Sequence, residues 1–140
     1  MEDIWKRLFN AAESALNPRK ISRNVEAGGV AAAVQSASGK IYSGVCVDTA
    51  CSIGVCAERN AIFSMITAGE STVRRIIAID RNLKTVPPCG VCREFMVQLM
   101  PESYGETEVM LDYSQNKIVK LKDLTPEWWL EQAFRSFAGL

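Results

Sequence analysis

The spacing of hydrophobic residues along the chain predicts helices at both ends. Residues 2–16 have the period of an amphipathic helix, which the segment NPRK ends. Its apolar face carries Ile4, Leu8, Ala11, Ala12 and Ala15. Residues 125–137, TPEWWLEQAFRSF, predict a final helix with Pro126 in its first turn.

The first half of the chain between these helices predicts a hairpin and a buried helix. Two apolar strands at 29–35 and 40–47 flank a turn around Ser38-Gly39. Residues 55–68 then have the pattern of a buried helix that ends at Gly69.

The second half adds three strands and another helix. The nearly continuous apolar centre of residues 73–81, VRRIIAIDR, predicts a strand buried on both faces. Residues 89–100 predict a helix stopped by a proline, and residues 107–113 and 117–121 predict two strands around a turn. The order αββαβαββα indicates an α/β fold, with helices covering both sides of a sheet.

Composition favours one domain that spans residues 1–140, of which 48% are hydrophobic. Sixteen basic residues balance sixteen acidic ones without a basic stripe, which argues against a nucleic-acid polymer as partner. No apolar run is long enough for a bilayer, and the acidic N-terminus does not resemble a signal peptide. We therefore expect a cytoplasmic protein with no membrane partner and with reduced cysteines.

Three of the five cysteines lie in two short motifs, VCAER and PPCGVCRE. Cys89 and Cys92 are spaced so that both sulfurs lie on one face of a helix start, and Cys56 begins the other predicted helix. Helix N-termini lower the pKa of a thiol and so favour the thiolate that binds metal. Three thiolates would hold zinc and leave a fourth position open, as catalytic zinc sites do.

Glu58 follows Cys56 by two residues, within reach of a water at that open position. A carboxylate there can take the proton of the water and pass it to a substrate nitrogen. Since the chain has no histidine, every mechanism with a histidine base is excluded. A C-x-x-C motif alone is also typical of structural zinc or a redox pair. Cys46 and Cys51 could close such a site, or they could be small buried hydrophobes.

The two motifs together resemble those of the cytidine deaminases, whose signature has a three-cysteine variant. The likeness extends over most of the chain: VAAAV at 30–34, GKIYSGVCVD and DLTPEWW are similar to family segments. It implies zinc on Cys56, Cys89 and Cys92, with Glu58 as proton shuttle. It also implies a three-layer α/β/α fold with a mixed five-stranded sheet, and the small homotetrameric type.

The resemblance extends to residues around the predicted zinc. Three thiolates on a dication leave a net negative charge that weakens the Lewis acid. The family pattern implies that Arg59 donates hydrogen bonds to the thiolates and withdraws charge from the metal. Arg93 could also donate hydrogen bonds to the thiolates, or it could lie in a solvated first turn. Ala57 is expected to contact the substrate.

Trp129 falls where the family places an aromatic residue that reaches a neighbouring subunit's pocket. The alternative is a C-terminal helix whose aromatic residues, Trp128, Phe134 and Phe137, cover the core.

Several positions of the nucleoside pocket depart from the family pattern. Cys46 and Asp48 replace an Asn and a Glu that hold a ribose hydroxyl, and a thiol is a poor hydrogen-bonding group. Gly28 stands where an aromatic residue walls the base, and Glu94 replaces a Gln after the C-x-x-C-R motif. The loop before Cys56 is one residue shorter than usual. The chemistry is thus preserved and the substrate is expected to differ.

The sequence supports two classes of function. The first is a zinc-dependent hydrolytic deaminase of a cytosine nucleoside or related aminoheterocycle, which releases ammonia; a blasticidin S deaminase is one alternative within this class. The second is a non-catalytic binding protein stabilised by zinc on the same scaffold. Glu58 discriminates between them, because a structural zinc has no need of a carboxylate beside it.

Overall fold

The computed structural model describes residues 3–130, in which three helices cover a six-stranded sheet. In chain order the elements are α1 (Asp3–Ala15), β1 (Arg19–Ser22), β2 (Val25–Ser36), β3 (Ile41–Thr49), α2 (Ala57–Thr67), β4 (Val73–Asp80), α3 (Gly90–Leu99), β5 (Glu108–Asp112) and β6 (Lys117–Lys120). Short 3-10 helices cover Tyr104–Glu106 and Leu121–Leu124.

The sheet is mixed, and its main strands run in the order β3, β2, β4, β5, β6. Only the β4–β5 pair is parallel among the strands described. β1 pairs with the first residues of β2 and extends the sheet beyond the predicted five strands. All four residues of β1 are exposed, so it lacks the alternation that marks a strand in sequence.

Helices lie on both faces of this sheet, which confirms the predicted three layers. Trp5 and Leu8 of α1 pack against one face, where Ile77 is among their partners. Ala61 and Ile62 of α2 pack against the other face, in a cluster that also contains residues of α3. β4 is buried on both sides, as its apolar centre predicted.

A glycine in β3 lets α2 lie directly on the sheet. A Cβ at Gly44 would overlap the backbone of Asn60 and Ala61. The side chain of Asn60 also donates a hydrogen bond to the carbonyl of Val45, at 3.0 Å. These contacts fix the first turn of α2, which carries the residues of the predicted site.

The predicted C-terminal helix starts later than expected. The backbone turns at Thr125–Glu127, where Glu127 has a φ of +54°, a left-handed conformation that no α-helix contains. Residues 129 and 130 are helical, and the remainder of the predicted helix, including Phe134 and Phe137, lies outside the described residues. Of the helices between residues 3 and 130, none is both long and apolar enough to cross a bilayer.

Candidate active site

Three thiols converge where the N-termini of α2 and α3 meet. Cys56 and Cys89 are the residues immediately before the two helices, and Cys92 lies in the first turn of α3. The Cys56 and Cys89 sulfurs are 3.4 Å apart, and those of Cys89 and Cys92 are 3.6 Å apart. All three sulfurs lie within 4.8 Å of one another, which is compatible with a single tetrahedral metal ion.

The donor set of this cluster fits a zinc ion. Burial raises the pKa of the Cys92 thiol, and the nearby Glu58 and Cys56 raise it further. The pKa of Cys89 is lowered, because hydrogen bonds from α3 backbone and from the other thiols outweigh its burial. Thiols this close cannot all ionise without a cation between them, and a soft dication such as zinc removes that repulsion.

Arg59 is a cationic side chain that contacts the cysteine cluster. Its Nη2 donates to the Cys56 sulfur at 3.6 Å, and the Cys56 and Cys92 thiols raise the pKa of its guanidinium. Arg93 faces elsewhere: it donates to the carbonyls of Pro88 at 2.8 Å and Leu124 at 3.5 Å. Of the two arginines considered from sequence, only Arg59 is hydrogen-bonded to a cluster sulfur among the described contacts.

Glu58 lines a cavity that also reaches two of the thiols. This active-site cavity has a volume of about 330 Å³, and Glu58, Cys56 and Cys89 line it. The side chain of Glu58 is buried, and burial raises its pKa, against the opposing effects of the backbone and of Arg59. A buried carboxylate that faces a cavity beside a metal-ligand cluster has the features of an acid–base group.

Three of the four substrate-contacting residues expected from sequence line the same cavity, and Trp129 does not. Cys46, Asp48 and Ala57 all contribute to its wall. The Cys46 sulfur accepts a hydrogen bond from the backbone N–H of Val30 at 3.3 Å, so it is already engaged with the protein. Asp48 lies near the end of β3 and is exposed. Of Cys46 and Asp48, it is therefore the residue whose polar group a ligand in the cavity can reach.

Gly28 cannot be replaced by the aromatic residue of the family pattern. Its φ is +85°, and a Cβ there would overlap the carbonyl of Asn17. The N–H of Asn17 donates to the carbonyl of Gly28 at 3.1 Å, which ties the loop between α1 and β1 to β2. The backbone conformation therefore requires glycine at position 28 and leaves no room for an aromatic side chain.

Trp129 lies outside the active-site cavity of its own chain. Its indole N–H donates to Glu94 at 3.1 Å, and the N–H of Trp128 donates to the same carboxylate. Trp128 packs against the core, as expected if the C-terminal aromatic residues cover it. Trp129 is 58% exposed. The predicted reach of Trp129 into a neighbouring subunit's pocket stays a prediction.

Comparison with known proteins decides the family. Residues 6–104 match the family model described as the zinc-binding region of cytidine and deoxycytidylate deaminases. This chain belongs to the cytidine and deoxycytidylate deaminase family. The matched region contains all five cysteines and Glu58. Membership makes the protein a zinc-dependent deaminase, a hydrolase whose cofactor is zinc.

Similar proteins include two different deaminases. A cytidine deaminase from Halalkalibacterium halodurans is 34% identical over 101 residues, which cover 69% of this chain and 74% of that protein. A blasticidin-S deaminase from Bacillus cereus is 31% identical over 108 residues, with the same coverage of 69% and 74%.

Solved structures of cytidine deaminases have the same fold. The enzyme from Mycobacterium leprae superimposes with a TM-score of 0.72 at 24% identity, covering 88% of this chain and 98% of that one. The enzyme from Burkholderia pseudomallei superimposes with a TM-score of 0.69 at 28% identity, covering 91% and 98%.

Sequence reasoning missed several residues around the cavity. The backbone N–H of Val30 donates a hydrogen bond to the Cys46 sulfur. Ile53 and Pro87 line the cavity, although no motif in the sequence indicates this. The sequence also does not predict that Glu94, which departs from the family pattern, accepts hydrogen bonds from Gln98, Trp128 and Trp129. Such contacts depend on tertiary packing and leave no local pattern.

Proposed function

We propose that this protein is a hydrolytic deaminase of a cytosine nucleoside or a related aminoheterocycle. Water would replace the exocyclic amine of the ring with oxygen, and ammonia would leave. The observation that carries the proposal is the position of Glu58, a buried carboxylate that lines one cavity together with Cys56 and Cys89. A binding protein with purely structural zinc would gain nothing from burying a carboxylate there, since burial of an unpaired charge costs free energy.

Each residue of the site has a proposed role. Cys56, Cys89 and Cys92 would hold zinc, which supplies a Lewis acid with an open position for water and substrate. Glu58 would accept one proton from the attacking water and deliver it to the ring nitrogen. It would then take the remaining proton from the added hydroxyl group and deliver it to the amine, which leaves as ammonia. Arg59 would donate to the Cys56 thiolate and moderate the negative charge of the cluster.

The pocket favours a substrate other than plain cytidine. Cys46 is engaged by the N–H of Val30, and Asp48 is one methylene shorter than the family's glutamate. Each missing hydrogen bond to a sugar hydroxyl costs about 1–3 kcal/mol when a polar partner stays unsatisfied. An antibiotic nucleoside of the blasticidin S type is the second candidate, supported by the similarity to the Bacillus cereus enzyme.

The proposal is tested by ammonia release from zinc-loaded protein with a panel of compounds. The panel contains cytidine, deoxycytidine, blasticidin S, adenosine and guanosine. We expect release from at least one cytosine compound, and a kcat/KM for cytidine below about 10⁴ M⁻¹s⁻¹, the lower end of the ordinary enzyme range. Release from adenosine or guanosine alone would place the substrate among the related aminoheterocycles, and release from no compound of the panel would contradict the proposed function.

We also propose that the protein is a homo-oligomer, most simply the homotetramer of the three-cysteine type. Support comes from four large apolar side chains that are more than half exposed among the described residues: Ile21 at 56%, Ile53 at 84%, Val91 at 59% and Trp129 at 58%. Ile53 lines the active-site cavity, so a neighbouring subunit that covers it would also close the site. Light scattering at micromolar concentration tests this, and a monomer would contradict it.

A further inference from the structure

The three thiols of the cysteine cluster are held in place in different ways. Cys92 is completely buried, so the packing around it fixes its side chain. Cys56 accepts a hydrogen bond from Arg59. Cys89 is exposed, and the hydrogen-bond partners of its sulfur within residues 3–130 are the other two thiols. The position of the Cys89 sulfur therefore depends on the backbone that carries it.

Two prolines limit how the backbone before Cys89 is anchored. Pro87 and Pro88 have no N–H, so the hydrogen bonds that hold this segment must be accepted by its carbonyl groups. Pro88 is buried, and its carbonyl accepts a hydrogen bond from Nε of Arg93 at 2.8 Å. This bond spans the turn that carries both cysteines of the C-x-x-C motif, because Pro88 precedes Cys89 and Arg93 follows Cys92.

The same guanidinium reaches a short 3-10 helix near the C-terminal end of the described chain. Nη1 of Arg93 donates to the carbonyl of Leu124 at 3.5 Å. Leu124 ends that helix, so its carbonyl has no partner within the helix. Its side chain packs against the core cluster of α2 and α3, and Leu121, the first residue of the helix, is completely buried. Arg93 thus joins the segment before Cys89 to a fixed point of the core.

We propose that Arg93 is a positioning residue of the metal centre, which holds the Cys89 thiol in the cluster by joining Pro88 to Leu124. A guanidinium suits this position because its N–H groups point in several fixed directions and donate to two carbonyls at once. Removal of the guanidinium leaves the carbonyl of buried Pro88 without this donor and releases the backbone beside Cys89. Arg59 and Arg93 therefore act differently: Arg59 donates to a sulfur, and Arg93 donates to the backbone beside one.

Zinc affinity measures this role, since a displaced thiolate binds the metal less tightly. Zinc-loaded proteins would be titrated with a coloured chelator of known affinity. Arg93→Met keeps most of the side-chain volume, and it should bind zinc about 10- to 100-fold more weakly, the usual effect of losing a residue that orients a metal ligand. Arg93→Lys should lose less, because it keeps the charge and can donate to one carbonyl. Wild-type zinc affinity in Arg93→Met would overturn the inference.

Cobalt absorption separates a positioning role from a purely structural one. Co²⁺ bound in place of zinc has absorption bands that depend on the number and geometry of its thiolate ligands. We expect these bands to shift or weaken in Arg93→Met, with a smaller change in Arg93→Lys. An unchanged spectrum in Arg93→Met would show that Arg93 only stabilises the fold. If Arg93→Met does not fold, Arg93→Lys decides, and a wild-type zinc affinity and spectrum in that variant would overturn the inference.

Trp128→Phe is the matched control. It removes the indole N–H that donates to Glu94, which is another contact between α3 and the C-terminal segment, and leaves the bond from Arg93 to Pro88 in place. This variant should keep the zinc affinity and the cobalt spectrum of the wild type, even where its thermal stability falls. A loss of zinc affinity equal to that of Arg93→Met would overturn the inference, because loosening this segment would then be sufficient.

The inference rests on the proposed zinc ligands and is independent of the substrate. Cys89→Ala in the same titration distinguishes the two failures. Full zinc affinity in Cys89→Ala would overturn the ligand set, and the role of Arg93 with it. Loss of zinc in Cys89→Ala together with wild-type affinity in Arg93→Met would overturn only the role of Arg93.

Discussion

The Arg59 guanidinium donates to the sulfur of Cys56 at 3.6 Å, three residues back along the chain at the start of α2. The residue that precedes it, Glu58, lines the active-site cavity. One helical turn therefore presents a metal ligand, an acid–base candidate and a cation that balances the ligand charge. The geometry follows from the spacing of residues in a helix, in which positions three apart share a face.

Replacing this cation tests its effect on the metal centre. Arg59→Gln should lower zinc affinity or kcat by about 10- to 100-fold, because residues that contact metal ligands typically have effects of that size. Zinc content after dialysis against a weak chelator and kcat on the best substrate are the measurements. Arg74→Gln, which removes an exposed cation elsewhere, should change neither. Unchanged zinc affinity and kcat in Arg59→Gln would show that the contact does not tune the metal.

The cysteine cluster makes a prediction about zinc stoichiometry. The protein should carry about one zinc per chain, and Cys89→Ala should lose it together with part of the stability, because ligand binding contributes to folding. Cys51→Ala is the matched control, since Cys51 is exposed and outside the cluster. Metal analysis and thermal unfolding would check both variants. Full zinc retention in Cys89→Ala would remove this residue from the ligand set.

The parts of the site that lie close together in sequence could be predicted, because short-range geometry determines them. Cys89 and Cys92 share a helix turn, and Glu58 and Arg59 follow Cys56 directly. The approach of the two helices was implied by family resemblance and not by spacing, since 33 residues separate Cys56 from Cys89. The engagement of the Cys46 thiol could not be predicted, because its sulfur meets the N–H of Val30 only through the pairing of β2 with β3.

The backbone differs from the prediction at two places within an otherwise confirmed fold. The five-strand expectation omitted β1 because its four residues are all exposed and show no period. The predicted start of the last helix was wrong because the left-handed backbone at Glu127 interrupts it, although Pro126 suits a first helical turn. β1 forms through its pairing with β2, a tertiary contact that sequence periodicity does not report.

The contact between Gly28 of β2 and the loop that joins α1 to β1 gives a prediction about stability. Gly28→Ala should lower the free energy of unfolding by about 2–5 kcal/mol, because it adds both a left-handed backbone cost and an overlap with the Asn17 carbonyl. Gly39→Ala has a similar φ of +93° but open space around its Cβ, so it should cost only about 1–2 kcal/mol. Urea unfolding of zinc-loaded protein measures both. Equal losses for the two variants would contradict the close approach at Gly28.

Glu70 makes a prediction about acid stability. It accepts hydrogen bonds from Tyr42 at 2.7 Å and from Ser36 at 2.9 Å, and the bond from Tyr42 is the main reason that its pKa falls from 4.5 to about 2. Because the folded state lowers this pKa, its stabilisation is present above pH 4.5 and disappears as the pH falls toward about 2.

The comparison of wild type with Glu70→Gln checks this dependence. The difference in free energy of unfolding should be largest near neutral pH and should shrink between pH 4.5 and about 2. Glu102→Gln, an exposed residue in a turn, provides the control and should show no such dependence. A difference for Glu70→Gln that is constant across this range would refute the assignment.

The central claim, that Glu58 moves the protons of a hydrolytic deamination, is tested most directly by ammonia release from zinc-loaded Glu58→Gln. The amide has the size of the carboxylate but cannot accept and return a proton, so we expect kcat to fall by about 10²–10⁴ with zinc content and thermal stability maintained. The measurement uses the best substrate of the panel, at saturating concentration, with zinc determined in the same samples. A Glu58→Gln protein that binds zinc and releases ammonia at the wild-type rate would contradict the account.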